Sequence, residues 1–583
     1  MRVAVSQFTT TDSHQENLAN CINMINEAAV CKPAVIVLPE FCNTVFCHTL
    51  LADNKPCYLN QGQAWEEALS INGPFLTAIA EQAKHHNTYI VLNVTIRRDL
   101  DRNATNRQQD NTVKPNISVT SCLLSPHGEL IYQEDKQNLT EYEEVYFTCG
   151  NKTAEVVTTP VANIGLLMGF DTMTFTPSRS LALQGAQLLC NSMNTFTLDQ
   201  SHLHNPARAC ENNVFLASAN KIGQSQIVSP DGIILASIEH NKTGFAFADV
   251  NLDAAGIDKK YRPDGTQLVK QLRPELYQKL TKTIPNIIPS IIPNNSQTLE
   301  QINHHKVPAT ANTAIFATYK VDEEAIEDVC FYIENNLSDI IQLPELFFIA
   351  DKNIISNNND NTQQLSQIEH LSKKVIEQVS TVLRPFQYVC TSLVLDGMHQ
   401  AVLISKNGLF AKQQQLHFCQ RYQWTTLGEE LKIIALPLEQ GNVNITMLTG
   451  DDANIPEIVN IAALNGIHIL LTPFDIQESC EVEYSLLSRA AENRICIVAA
   501  SKEKSFANNT PINNNAGNKN NNQKKKIKDL KVIGFIINLT KDIPLLSQCK
   551  TRNFNGYLNQ PLVKYQQGKI TKAVIFPIAA CNK

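Results

Sequence analysis

The chain is expected to form an α/β fold written twice in tandem, and three features of the sequence predict it. Each half opens with a short apolar strand, an amphipathic helix and a second strand that ends in Leu-Pro-Glu. Three residue pairs keep one constant separation: Gly169 and Gly450, Gly185 and Gly466, and Glu211 and Glu492 are each 281 positions apart. Around them the text repeats, "MGFD" with "TGDD", "LALQGAQLL" with "AALNGIHIL" and "RACENNVFLASAN" with "RAAENRICIVAAS". Unrelated segments would not hold such a register, so this is one internal repeat of domain size.

In the first half "VAVSQF" reads as a strand and Ser13-x-x-Glu16 as a capping box. Leu18, Cys21, Ile22, Ile25 and Ala29 form the apolar stripe of the helix that follows. "AVIVLPEF" is the next strand, closed by Glu40. Further on, "SPHGE" is a turn, and Lys136 stands at the end of the strand after it. "IGLLMGFD" climbs as a buried strand and breaks at Gly169, "AQLLC" is a strand ending in Cys190, and Arg208 and Glu211 sit at i, i+3 on a helix. In the second half "AIFATY" precedes a helix with Ile326, Val329, Cys330, Phe331 and Ile333 at core spacing, and "DIIQLPELF" carries Glu345. The domains run over 1–281 and 310–583. The stretch 282–309, rich in Pro and Asn, reads as a linker, and an Asn- and Lys-rich insertion at about 507–528 is expected to be disordered.

At 583 residues the chain exceeds what one core supports, and 43% hydrophobic residues suffice for two. A net charge of -7 argues against nucleic acid as a partner, and no apolar run is long enough for a bilayer span. "MRVAVSQF" has no basic-then-apolar leader, so the sixteen cysteines are read as reduced thiols of a cytoplasmic protein. Cys42 and Cys47 have no second pair to complete a zinc site, and neither a metal nor a cofactor is expected.

A carboxylate at a strand end, such as Glu40, serves as a general base if it enters a cleft and is a plain surface acid if it does not. Lys136 would place a positive charge over a developing oxyanion, or would be solvated; Glu143 could orient it by ion pairing. In this order, the strand ending in Leu-Pro-Glu, the "G-x-I-x-x-x-x-x-K-x-x-L"-type block, the strand leading to an elbow and the "RAxEN…AN" segment resemble the nitrilase, or carbon–nitrogen hydrolase, superfamily. The first half resembles it along nearly its whole length, including "GQSQIVSPDGIILA" and "RPELYQKL". The second half shares "LPEL", the elbow and "RAAEN".

The resemblance implies two tandem four-layer αββα sandwiches, expected to pair as an intrachain pseudo-dimer, and a Glu-Lys-Cys centre acting on an amide, nitrile or carbamoyl carbon. It assigns Glu40 as base, Lys136 as the lysine and Glu143 as the second glutamate, while Gly169 falls on the cysteine. In the second copy Glu345 matches the base and Gly450 the cysteine, and either Lys412 or Gln415 fills the lysine slot. Cys190 is either a core residue or a thiol that approaches the same cleft. Three functions follow: a pseudo-hydrolase that binds a small amide- or nitrile-like ligand or acts as a scaffold, an amidase-type enzyme with a remodelled nucleophile, and a non-catalytic partner subunit of an active homologue. Self-association through the sandwich faces is the expected assembly, with no membrane partner.

Overall fold

The computed structural model describes residues 1–46, 58, 60–98, 116–140, 142–150, 152–195, 200–281, 310–350, 361–439, 441–506, 530–537 and 574–577. The linker 282–309, the insertion at about 507–528 and Cys47 lie outside the described residues. The chain divides into two compact units, one starting at Met1 and running to Lys260, the other starting at Tyr261.

In the first unit one six-stranded sheet places 244–249, 2–7, 35–37, 89–97, 117–124 and 130–135 side by side, and a second orders 234–237, 226–228, 215–219, 188–192, 163–168 and 157–158. Strand alternation sorts the side chains. Val3, Val5, Val35 and Val37 join Leu166, Cys190 and Ala217 in a core between the sheets. Ala4, Ile36, Ile90 and Leu92 face the other way, onto Cys21, Ile25, Phe75 and Ile79 of helices His14–Ala29 and Pro74–His86. Helices Phe175–Leu183 and Asn205–Asn212 pack on the second sheet, which completes the αββα layering.

Only half of the Ser13 capping box forms. Ser13 Oγ accepts the Glu16 N–H at 3.3 Å, but the Glu16 carboxylate accepts from Thr11 Oγ1 at 2.8 Å instead of reaching back to the cap.

The second unit repeats the strand order. Its first sheet runs 408–414, 398–405, 388–395, 340–345, 310–315 and 574–577, with a returning strand antiparallel to the first, as 244–249 is to 2–7. Its second sheet runs 434–438, 441–447, 469–473, 496–506 and 530–537. On helix Asp322–Glu334, Ile326, Val329 and Ile333 are fully buried, but Phe331 is 69% exposed. At 3.6 residues per turn, position 331 lies opposite the stripe that the other three share, so it does not belong to the core as expected.

The domain boundary also differs from expectation. The segment Tyr261–Thr281 packs in the second unit. Gln271 Nε2 donates to Phe418 O and to Asp451, Arg273 Nη1 donates to Leu416 O and Gly428 O, and Arg421 bonds Asp264 at 3.0 Å. Buried donors take the partners that long-range packing offers, and those lie more than a hundred residues downstream, beyond any local pattern.

Candidate active site

Four positions converge at the ends of strands in the first unit. Pro39 cannot donate to a ladder, so strand Val35–Val37 ends there, and the Glu40 N–H turns to Met193 O at 3.0 Å. Lys136 follows strand Leu130–Asp135 and is pinned by its own N–H to Val119 O. Glu143 is fixed by a reciprocal turn, accepting from Thr140 N at 2.8 Å and donating its N–H to Thr140 Oγ1. The three side chains are fully buried. Lys136 Nζ donates to Glu40 Oε1 at 2.8 Å and to Glu143 Oε1 at 2.6 Å. The sequence-level candidates Glu40, Lys136 and Glu143 are therefore one cluster.

Burial opposes the charge on Lys136, but the carboxylates of Glu143 and Glu40 outweigh it and hold the ammonium above the usual lysine range. The centre is thus two carboxylates around one fixed cation.

Gly169 closes strand Asn163–Met168 with φ +52, a left-handed conformation that costs other residues strain. A Cβ added there would stand 2.6 Å from Lys136 Nζ and 3.0 Å from Glu40 Oε1. The turn is aimed at the acid and the ammonium, and it carries no attacking atom. Cys190 does not supply one, because its side chain lies in the inter-sheet core and burial pushes its thiol up. Cys42 is nearer in sequence, yet its thiol bonds Pro39 O and faces the helix-side core.

Two residues outside the sequence-level set brace the turn. Gln200 Nε2 donates to Gly169 O and to Thr172 Oγ1, and Asp171 accepts from Met168 N at 2.9 Å and from Asn138 Nδ2 at 3.2 Å. Asp171 thereby ties the lysine block to the elbow. Burial pushes its carboxyl up to about 6, with the Met168 and Asn138 donors acting against that shift.

A carboxyl whose folded pKa is raised contributes stability below its unfolded value, and that contribution is lost as pH rises through the folded one. Asp171→Asn is therefore expected to gain on the wild type by about 2 kcal/mol in the first unit's stability between about pH 4 and pH 7. Paired urea titrations at the two pH values read the difference; an unchanged gap would show that Asp171 ionises normally.

In the second unit Gln415, not Lys412, occupies the lysine slot. Lys412 pairs Asp396 at the surface, whereas a Cβ on Gly450 (φ +64) would meet Gln415 Cδ at 2.9 Å. Tyr422 stands seven residues beyond Gln415, as Glu143 does beyond Lys136, and its hydroxyl donates to Glu345 Oε1 at 2.6 Å. Gly450 N donates to Glu345 Oε2 at 3.1 Å, and Arg421 lies 3.8 Å from the same carboxylate. Gln415 Oε1 accepts from His399 Nδ1, which leaves Nε2 to accept the Ser392 hydroxyl. The lysine held between two carboxylates in the first unit is replaced by one carboxylate that has hydrogen-bond donors around it and the Arg421 guanidinium nearby.

Asp452 repeats the bracing role of Asp171, accepting from Leu416 N and His417 N. The seven-residue spacing was a readable signal for Tyr422; Arg421 and His399 had none. Asp264, Cys419 and Asp451 bring ligand atoms within 4.8 Å of one another. Arg421 bonds both aspartates at 3.0 Å, so a guanidinium already supplies the positive charge a metal would bring.

Residues 2–259 match the carbon–nitrogen hydrolase family. Among curated proteins, the chain is 25% identical over 299 residues to a chloroplastic omega-amidase of Arabidopsis thaliana, covering 47% of this chain and 73% of that protein. It is 23% identical to a deaminated glutathione amidase of Dictyostelium discoideum, covering 43% of this chain and 88% of the relative. Among solved structures, a Nesterenkonia amidase of the nitrilase superfamily matches at 20% identity and a TM-score of 0.36, over 48% of this chain and 96% of its own. No helix among the described residues is long and apolar enough to cross a membrane.

Proposed function

We propose that the chain, whose residues 2–259 match the carbon–nitrogen hydrolase family, is a tandem pseudo-hydrolase that binds a small amide-, nitrile- or N-carbamoyl-type compound without turning it over. The observation that carries this reading is the empty elbow. Gly169 points its missing side chain at Glu40 and Lys136, and Gly450 does the same at Gln415 in the second unit. Losing a nucleophile that works as part of a unit costs on the order of 10⁶ in rate. The shared strand order of the two units supports descent by duplication, and the amidase names of two relatives favour an amide ligand.

Purified protein given simple amides, nitriles and N-carbamoyl compounds is expected to release no product and to form no acyl adduct by mass spectrometry. Turnover that Glu40→Gln abolishes would instead establish an active hydrolase with a water nucleophile.

A further inference from the structure

We propose that the layer behind the Gly169 turn is a second ligand site in the first unit, built for a small neutral urea-type compound. The site is distinct from the Glu40–Lys136 centre. In the second sheet Asn191, Ser218 and Gln226 are register partners across three neighbouring strands. Their neighbours Cys190, Ala217 and Ile227 fill the inter-sheet core, so this row points the opposite way, toward the helical layer.

From that layer Ser201 O accepts Gln226 Nε2 at 2.7 Å. Asn205 Nδ2 and Ser218 Oγ both reach Met193 Sδ, and Gln200 holds the Gly169 carbonyl. With those bonds made, Asn191 Nδ2 and Oδ1, Asn205 Oδ1, Gln200 Oε1 and Gln226 Oε1 have no partner among the described residues, although all four side chains are fully buried. Buried amide groups left unpaired are costly, and a concentration of them in one layer calls for a hydrogen-bonding occupant.

The second unit provides an internal control. The position of Asn191, fourth in strand Leu188–Ser192, is Thr472 in strand Ile469–Pro473. Ser218 corresponds to Ala499, again in register with it, and Asn205 at the start of its helix corresponds to Leu486. At the position of Gln200 the second unit has Glu481, which pairs with Arg262 at 2.7 Å. None of these four positions carries an amide there, so the fold does not demand the amides of the first unit. The free atoms number four acceptors and one donor. A urea group has the inverse set, N–H donors around a single carbonyl oxygen, and it needs no counter-charge.

The test uses the full chain with methylurea, far below denaturing concentrations, and with tetramethylurea, which keeps the carbonyl but has no N–H. Methylurea is expected to raise the melting temperature saturably, tetramethylurea not at all. The double variant Asn191→Thr, Asn205→Leu, which copies the second unit, is expected to fold and to weaken methylurea at least tenfold; Gln226→Met serves if that variant is unstable. A shift equal for both ureas, or one the variants leave intact, would overturn the proposal. So would a high-resolution structure in methylurea showing ordered water only on these amides.

Discussion

Gly169→Cys is expected to turn the first unit from inert to hydrolytic, with amide turnover rising on the order of 10² to 10⁴ above background. That range is a part of what a nucleophile working within its unit contributes. The geometry supports the direction. The new Cβ would stand 3.0 Å from Glu40 Oε1, so the thiol beyond it has a carboxylate to take its proton and the Lys136 ammonium to stabilise the thiolate. The thiolate would attack the amide carbon, and Lys136 would hydrogen-bond the oxyanion. Glu40 would return the proton to the departing amine, and water would then cleave the thioester.

The cost is local. A side chain at φ +52 carries roughly 1–2 kcal/mol of strain, and Lys136 Nζ, at 2.6 Å from the new Cβ, must move. Nζ is the far end of a flexible side chain, so it can shift, but its bonds to Glu40 and Glu143 must adjust with it. Adding Glu40→Gln to the cysteine variant should return turnover to background. A variant that is folded and alkylated at position 169 yet hydrolyses nothing would show that the centre has lost more than its nucleophile.

What could be read in advance depended on how locally each feature is encoded. Glu40, Lys136 and Gly169 sit at strand ends, where an apolar run followed by a turn marks the position, and the structure brings all three together with Glu143. The strand–helix–strand openings of both halves were legible for the same reason. The boundary was not, because Arg273 and Gln271 find their partners near Leu416 and Asp451, and long-range packing leaves no periodicity in the chain. The second centre was half legible: Glu345 and Gly450 keep their motif letters. The choice between Lys412 and Gln415 turned on strand register, which puts Lys412 at the surface beside Asp396. Phe331 shows a third limit, since composition names apolar residues and only helical phase says which of them face inward.

The two centres also solve one electrostatic problem in two ways, and exchanging the solutions gives the largest expected loss of stability. Lys136→Gln leaves Glu40 and Glu143 buried without their shared cation, and breaking a buried pair in this way costs about 3–5 kcal/mol. The second unit places Gln415 in that slot with Tyr422 standing where a second carboxylate would and giving its hydroxyl to Glu345, and with the Arg421 guanidinium 3.8 Å from the same carboxylate. Adding Glu143→Tyr to Lys136→Gln should therefore recover part of the loss, by removing one unpaired charge and offering Glu40 a donor, though not the guanidinium that Arg421 brings to Glu345.

The chain has two tryptophans, Trp65 in the first unit and Trp424 in the second, so a Trp424→Phe background reports on the first unit alone in urea unfolding. The single variant should lower the midpoint strongly, and the double variant less. Equal losses for the single and double variants would mean that the lysine stabilises by packing and that the charge balance of the two centres is not what their folds select.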